Sequence, residues 1–244
     1  MSGMIQSGRF GVPWAPTDLG STLQLWLDAD DAATFSYSSG ALVSQWADKS
    51  GQSRHFTQAT AANQPTLTAS AVNGRPAVQF NTNDWLSNST SMAAFTAAEV
   101  FVILKRDADP PATDAGSGIW RFDGNTGNAS HVPWTNGVIY ESFASSGRKT
   151  VGDPTPSLAT PRCYNVRSAS GAWSAWLDGS SLHSTASNTV SLGTTYTLGR
   201  SDTSGVVFNY YDGLFAELIL CDSVLSTADR AAVRTYLTTK WAVS

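Results

Sequence analysis

The sequence predicts an all-β protein closed by one C-terminal α-helix. Three observations carry this. Residues 214–221 are apolar on both faces and follow an Asp212-Gly213 turn, as a central or covered strand requires. Residues 226–241 hold the one clear helical pattern. Between the N-terminus and that pair, short strand-like runs alternate with turn dipeptides, which points to a β-sandwich or barrel.

In chain order, residues 1–20 form a Gly/Pro/Ser-rich arm without a hydrophobic period, and it is expected to be extended. Its two aromatics, Phe10 and Trp14, are the expected attachment points, either to the arm's own domain or to a neighbouring subunit. Residues 21–244 read as a single domain. Its strand candidates are residues 23–27, 42–46, 76–80, 99–104, 119–122, 138–143, 162–167, 172–177 and 196–198. Asn73-Gly74, Asp123-Gly124, Asn136-Gly137 and Asp178-Gly179 punctuate them, each a pair that tolerates positive φ. The stretches 107–117 and 148–161 read as long exposed loops.

In the last strand, strict alternation places Leu214, Ala216, Leu218 and Leu220 on one face. Phe215, Glu217, Ile219 and Cys221 fall on the other. In the helix, Ser226 suits the N-cap, and Asp229 three residues on completes a capping-box-like pair. Val233, Tyr236, Leu237 and Trp241 share one face, while Arg230, Arg234 and Lys240 populate the other. The apolar face is expected to rest on the adjacent sheet.

Composition narrows the partners. Only 14% of the 244 residues are charged, the net charge is −4, and there are no basic runs, so nucleic acid is not an expected partner. No stretch approaches the roughly 18 apolar residues of a membrane span. The first residues lack the basic and apolar regions of a secretion signal. Cys163 and Cys221 lie in strand-like runs and read as a disulfide or as two buried thiols. Without a secretion signal the thiols are favoured. Asn88-Ser89-Thr90 and Asn128-Ala129-Ser130 match the glycosylation sequon.

Glycan hydrolysis needs two carboxylates flanking the scissile bond. The glutamates are Glu99, Glu141 and Glu217, and none has an acidic residue two positions away. No catalytic residue is therefore assigned, and the protein is expected not to be an enzyme. Asp28, Asp30 and Asp31 cluster after the first strand candidate, with Asp48 as a further neighbour. They could bind calcium through oxygen ligands, or be a polar turn whose side chains bond local amides. No other cofactor is expected. His55, His131 and His183 sit in no ligand-type motif. The chain has nine Trp and seven Tyr. Trp120, Trp134, Tyr140, Tyr210 and Tyr211 lie beside polar Gly/Asn/Asp turns. They are the candidate ligand-binding residues, for stacking on a sugar ring or for a protein contact.

Several segments together carry a resemblance. They are Leu25-Trp26-Leu27-Asp28-Ala29, Trp46 with Asp48-Lys49-Ser50-Gly51, Gly74-Arg75-Pro76-Ala77-Val78-Gln79-Phe80, Trp176-Leu177-Asp178-Gly179 and Leu198-Gly199-Arg200. Tyr211-Asp212-Gly213-Leu214-Phe215-Ala216-Glu217-Leu218 and the helix to Trp241 complete the set. The chain resembles the laminin-G-like, concanavalin-A-like jelly-roll superfamily, in the versions common in bacterial and phage surface or virion proteins. The match covers most of residues 23–242 and leaves about 105–160 unmatched. It implies a two-sheet antiparallel jelly-roll sandwich with one C-terminal helix. It also implies that Trp26, Trp46, Trp176 and Trp241 are core and that Glu217 is structural.

The expected function is then a non-catalytic phage virion accessory subunit, a capsid decoration or tail-associated protein. Its partners would be other virion proteins or further copies of itself, and it would be found in the virion. The alternative is a free carbohydrate-binding, lectin-like module that holds cell-surface glycans; a glycan-cleaving enzyme is the third reading.

Overall fold

The computed structural model describes residues 13–81, 83–108, 117–122, 129–202 and 208–243. The first strands are β1 (Leu23–Asp28), β2 (Phe35–Ser39), β3 (Leu42–Trp46), β4 (Phe56–Thr57), β5 (Thr66–Val72), β6 (Arg75–Phe80) and β7 (Leu86–Asn88). The long β8 (Ala97–Arg106) is followed by β9 (Trp120–Arg121), β10 (Ile139–Glu141), β11 (Lys149–Gly152), β12 (Arg162–Ala169), β13 (Ala172–Leu177) and β14 (Ser180–Thr185). Last come β15 (Tyr196–Leu198), β16 (Arg200–Asp202), β17 (Phe208–Tyr210), β18 (Gly213–Cys221) and α1 (Thr227–Trp241). Two hairpins turn where the dipeptides predict. Asn73-Gly74 joins β5 to β6 and Asp178-Gly179 joins β13 to β14, and all four residues have positive φ. Such two-residue turns match the right-handed strand twist.

The strands follow one antiparallel path, β14-β13-β12-β8-β18-β6-β5-β3-β4-β7-β15-β9. Between β5 and β3 the path narrows to a single residue pair, Leu42 with Thr66. The two halves of the path face each other: Trp120 on β9 stacks on Tyr164 of β12 with centroids 6.2 Å apart. The result is an all-β sandwich. Trp120, Phe122, Phe143, Tyr164 and Tyr196 fill the space between the layers and are fully buried.

β18 is central. Its first half lies between β6 and β8, and its second half between β1 and β8. A bulge at Ala216 interrupts the pairing with β8: Phe215 opposes Leu104, but Glu217 opposes the adjacent Ile103. Two residues of β18 pass while the partner advances one, so strict alternation fails here. Phe215 enters the sandwich interior beside Phe80 and Tyr211. Glu217 joins Ile219 and Cys221 on the outer face, in line with Trp26 and Asp28 of β1.

That outer face is covered by α1. Ser226 caps the helix by accepting from the Asp229 amide at 3.1 Å. Val233, Leu237 and Trp241 are buried beneath it. Two buried carboxylates fasten it. Glu99 takes Arg230 through both oxygens (2.5 and 3.0 Å), the Leu225 amide at 3.0 Å and Asn165 at 3.1 Å. Glu217 accepts from Trp26 Nε1 and Trp241 Nε1, each at 2.7 Å, from Tyr236 at 2.9 Å and from Lys240 at 2.8 Å. Burial, then the neighbouring Asp28 charge, push the Glu217 carboxyl above its ordinary value, and Lys240 opposes them. Trp46 and Trp241 are core, as the resemblance implies. Trp26 and Trp176 are instead half-buried on the helix-side face, under Lys49 (4.2 Å) and between Arg167 and Arg230 (5.3 and 5.2 Å).

Two expectations change. The end of the arm is not extended: residues Pro16–Thr22 form 3-10 turns, with Pro16 pre-setting the first turn. Of the two attachments open to Trp14, the structure shows the one to its own domain: the ring packs on Tyr236 of α1 at 5.5 Å. Phe10 lies outside the described residues. The segment 148–161 is not wholly an exposed loop, since it contains β11 and buries Val151 and Leu158. Cys163 and Cys221 are separate buried thiols, and burial pushes the Cys163 thiol up to about 12.

Removing one partner of a buried ion pair strands the other, which costs about 3–5 kcal/mol. Glu217→Ala is therefore expected to lower unfolding stability by that amount in urea titration. A loss under about 1 kcal/mol would mean that Lys240 and the two indoles find other partners.

Candidate functional site

Asn136-Gly137 organises the most suggestive surface. The Gly137 amide donates to the Trp134 carbonyl at 2.9 Å, and Trp134 N–H donates to the Val138 carbonyl at the same distance. Gly137 has φ +79, which favours glycine, and the Asn136 side chain accepts from the Val138 amide at 3.1 Å. Counting outward from this turn pairs His131 with Tyr140, and they exchange both backbone hydrogen bonds (2.7 and 2.9 Å). Directly opposed residues present their side chains on one face. β10 in turn pairs with β11, setting Tyr140 against Thr150 and Glu141 against Lys149.

The outcome is a pocket of about 260 Å³ lined by His131, Trp134, Tyr140 and Arg148. Trp134 stands edge-on to His131 at 4.4 Å, and Arg148 lies over the Tyr140 ring at 5.1 Å. Trp134 and Tyr140 are half-buried, Arg148 is exposed, and His131 is only 3% exposed. His131 Nδ1 is buried without a hydrogen-bond partner among the described residues. Burial, then the Arg148 charge, lower the His131 pKa to about 4, so the ring is neutral at pH 7.

Glu141 supports the pocket from behind. Alternation along β10 turns Tyr140 outward and Glu141 inward. Its Oε1 accepts from Ser130 at 2.6 Å, Trp120 at 3.1 Å, and the Ser142 and Phe143 amides at 2.9 Å. Tyr164 donates to Oε2 at 3.4 Å. Burial pushes this carboxyl above its ordinary value, and the donors oppose it.

The five predicted aromatics therefore separate. Trp134 and Tyr140 come together. Trp120 and Tyr211 are corrections, because both are fully buried and offer no ring face to a ligand. Trp120 is held by Glu141, and Tyr211 donates to the Lys105 carbonyl at 3.0 Å. Tyr210 is half-buried on β17 and does not line the pocket. His131 and Arg148 were missed. The Asn136-Gly137 turn signal locates the first, since register from that turn sets His131 opposite Tyr140.

The three aspartates are also a correction. Asp28 is bound by Lys49 at 2.9 Å and Lys240 at 2.6 Å, Asp31 by Lys49 at 2.8 Å, and Asp30 by Arg75. Ammonium and guanidinium groups take the places a calcium ion would need, and Lys49 holds the Asp31 carboxyl below its ordinary value. Asp48 organises its own turn, accepting from the Ser50 and Arg54 amides. Among the described residues no cluster of three potential metal ligands occurs.

Two other clefts are less suited to a ligand. One of about 200 Å³ lies between α1 and the sheet, where Arg230 is already held by Glu99. The other, about 270 Å³, is polar and includes Asn88. The Asn88 side chain of the first sequon is buried, and its amide donates to the His55 carbonyl at 2.7 Å.

No protein-family profile and no curated protein sequence matches the chain. Solved structures do. Botulinum neurotoxin type C, described as entering cells through interaction with two ganglioside molecules, matches with TM-score 0.63 and 9% identity over 91% of this chain and 53% of its own. A Trypanosoma rangeli sialidase mutant displaying trans-sialidase activity gives 0.57 and 13% over 90% of this chain and 33% of its own. Domain 4 of AbnA, a GH43 extracellular arabinanase from Geobacillus stearothermophilus solved with arabinotriose, gives 0.53 and 10% over 85% and 95%. What they share with this chain is the β-sandwich. The chain spans about half of the neurotoxin structure and a third of the sialidase, but nearly the whole arabinanase domain.

His131 makes stability depend on pH. The unfolded chain binds a proton at this residue near 6.5, the folded chain only near 4. Between those values the unfolded state holds more protons, so stability is lost as pH falls through the window, by at most about 3 kcal/mol. His131→Gln is expected to remove that slope. Parallel stability-versus-pH curves for the two proteins would contradict it.

Proposed function

We propose that the protein is a non-catalytic carbohydrate-binding module whose ligand site is the pocket of His131, Trp134, Tyr140 and Arg148. The carrying observation is two half-exposed aromatic rings, Trp134 and Tyr140, lining one pocket with the Arg148 guanidinium beside them. Ring faces take the apolar side of a pyranose, and the guanidinium donates to its oxygens. The fold neighbours support this reading, since their descriptions name gangliosides, arabinotriose and sialidase activity. The absence of catalysis is supported by the glutamates: Glu99, Glu141 and Glu217 are all fully buried and committed to internal hydrogen bonds.

A glycan array followed by calorimetric titration tests it. At least one glycan is expected to bind, and Trp134→Ala is expected to weaken it tenfold or more, roughly 1.4 kcal/mol, with the fold intact. Silence across the array would sink the proposal.

A laminin-G-like virion subunit is a setting in which such a module gains by repetition, since many copies on one particle supply avidity. This second reading rests on the sequence resemblance and not on the arm, since Trp14 packs on its own domain and Phe10 lies outside the described residues. Mass spectrometry of purified particles is expected to find the chain; its absence from them would remove the reading.

A further inference from the structure

We infer that this pocket is selective for an acidic sugar, a ring bearing a carboxylate or a sulfate, with Arg148 as the partner of the anion. The inference rests on the glycan reading above. It starts from what the pocket offers a ligand. Neutral sugars present hydroxyl donors and need acceptors, which proteins usually supply as carboxylates and amides. The lining here contains neither, only an imidazole, an indole, a phenol and a guanidinium. A ligand that brings its own anionic acceptor complements that set.

Arg148 is placed for the task. Its guanidinium lies over Tyr140, 5.1 Å from the ring centroid, which fixes it at the pocket. Among the described residues its one hydrogen bond is long, 3.5 Å to the Ala129 carbonyl. Arg75, Arg162 and Arg230 are bound by Asp30, Asp178 and Glu99. Among the described residues no carboxylate pairs with Arg148, and of the arginines without such a partner it is the one that lines this pocket. An unpaired planar fork of donors matches an oxyanion in a bidentate way. Lys149, next in the chain, opposes Glu141 and so lies on the other face of the hairpin, which leaves Arg148 as the cation of the pocket. Asp153 is the neighbouring acid. It lies against the turn at Gly137 and is not among the lining residues. One sugar ring would thus meet a cation and two aromatic side chains together.

The experiment is calorimetric titration of the full chain with matched pairs: sialyllactose against lactose, trigalacturonate against galactotriose, and sulfated lactose against lactose. The acidic member of at least one pair is expected to bind about tenfold tighter. That margin should shrink between roughly 50 and 300 mM salt, as charge pairing near a surface does. Arg148→Gln, an exposed position, should abolish the margin, so that on this variant the acidic and neutral members of each pair bind equally. The carboxylated and sulfated arms show which anion is taken. Equal affinity within every pair, still lost on Trp134→Ala, would overturn the acidic preference and leave the glycan reading standing. No binding by any member of any pair would overturn both.

Discussion

The Glu217 carboxylate is the contact on which the rest of the architecture depends. It is fully buried, and it gathers Trp26 from β1 and Tyr236, Lys240 and Trp241 from α1 around one strand of the sheet. A buried ion pair is a poor source of net stability, because desolvation offsets most of the Coulomb gain. Its value lies in uniqueness. Apolar contacts would let α1 slide or rotate over the sheet, whereas four donors converging on two oxygens define one seating. Glu99 repeats the arrangement toward the other end of the helix with the Arg230 fork. Together the two carboxylates fix both the position and the direction of α1.

The same economy governs the far side of the molecule. Glu141 is buried without a cation and satisfied by hydroxyl, indole and amide donors. Because β10 alternates, holding Glu141 inward presents Tyr140 outward, and the hairpin bond then brings His131 alongside. The candidate ligand surface is thus set by polar contacts beneath it. Its own exposed groups are free of structural duty, apart from Arg148 covering the tyrosine ring.

Much of the scaffold is legible in the sequence, and for identifiable reasons. β8, β12, β13 and α1 have strong periodicity and unambiguous turns or caps, so local preference and tertiary structure agree. β2, β4, β5 and β7 are short or polar and are mostly defined by partners distant in sequence. Burial of Trp120 is not visible locally, because its short apolar run, Ile119 to Phe122, is broken by Arg121 and followed by the Asp123-Gly124 turn pair, while its environment comes from β10 and β12. Trp134 and Tyr140 can be read because the Asn136-Gly137 turn places them. Arg148 cannot, since its link to the pocket runs through the pairing of β10 with β11.

The bulge at Ala216 has a consequence for how this chain can vary. One additional residue in β18 decides which layer receives a phenyl ring and which receives a charge. Exchanging the alanine for another small residue keeps that assignment. Pairing β18 without the bulge would put Phe215 and Glu217 on one face, forcing an anion among aromatic rings or a hydrocarbon beneath the helix. Deleting Ala216 would not, because Phe215 and Glu217 would become strand neighbours and still point to opposite faces. Heritable change at this point is therefore constrained by register: the alanine can be exchanged or lost, provided Phe215 stays opposite Leu104 and Glu217 opposite Ile103.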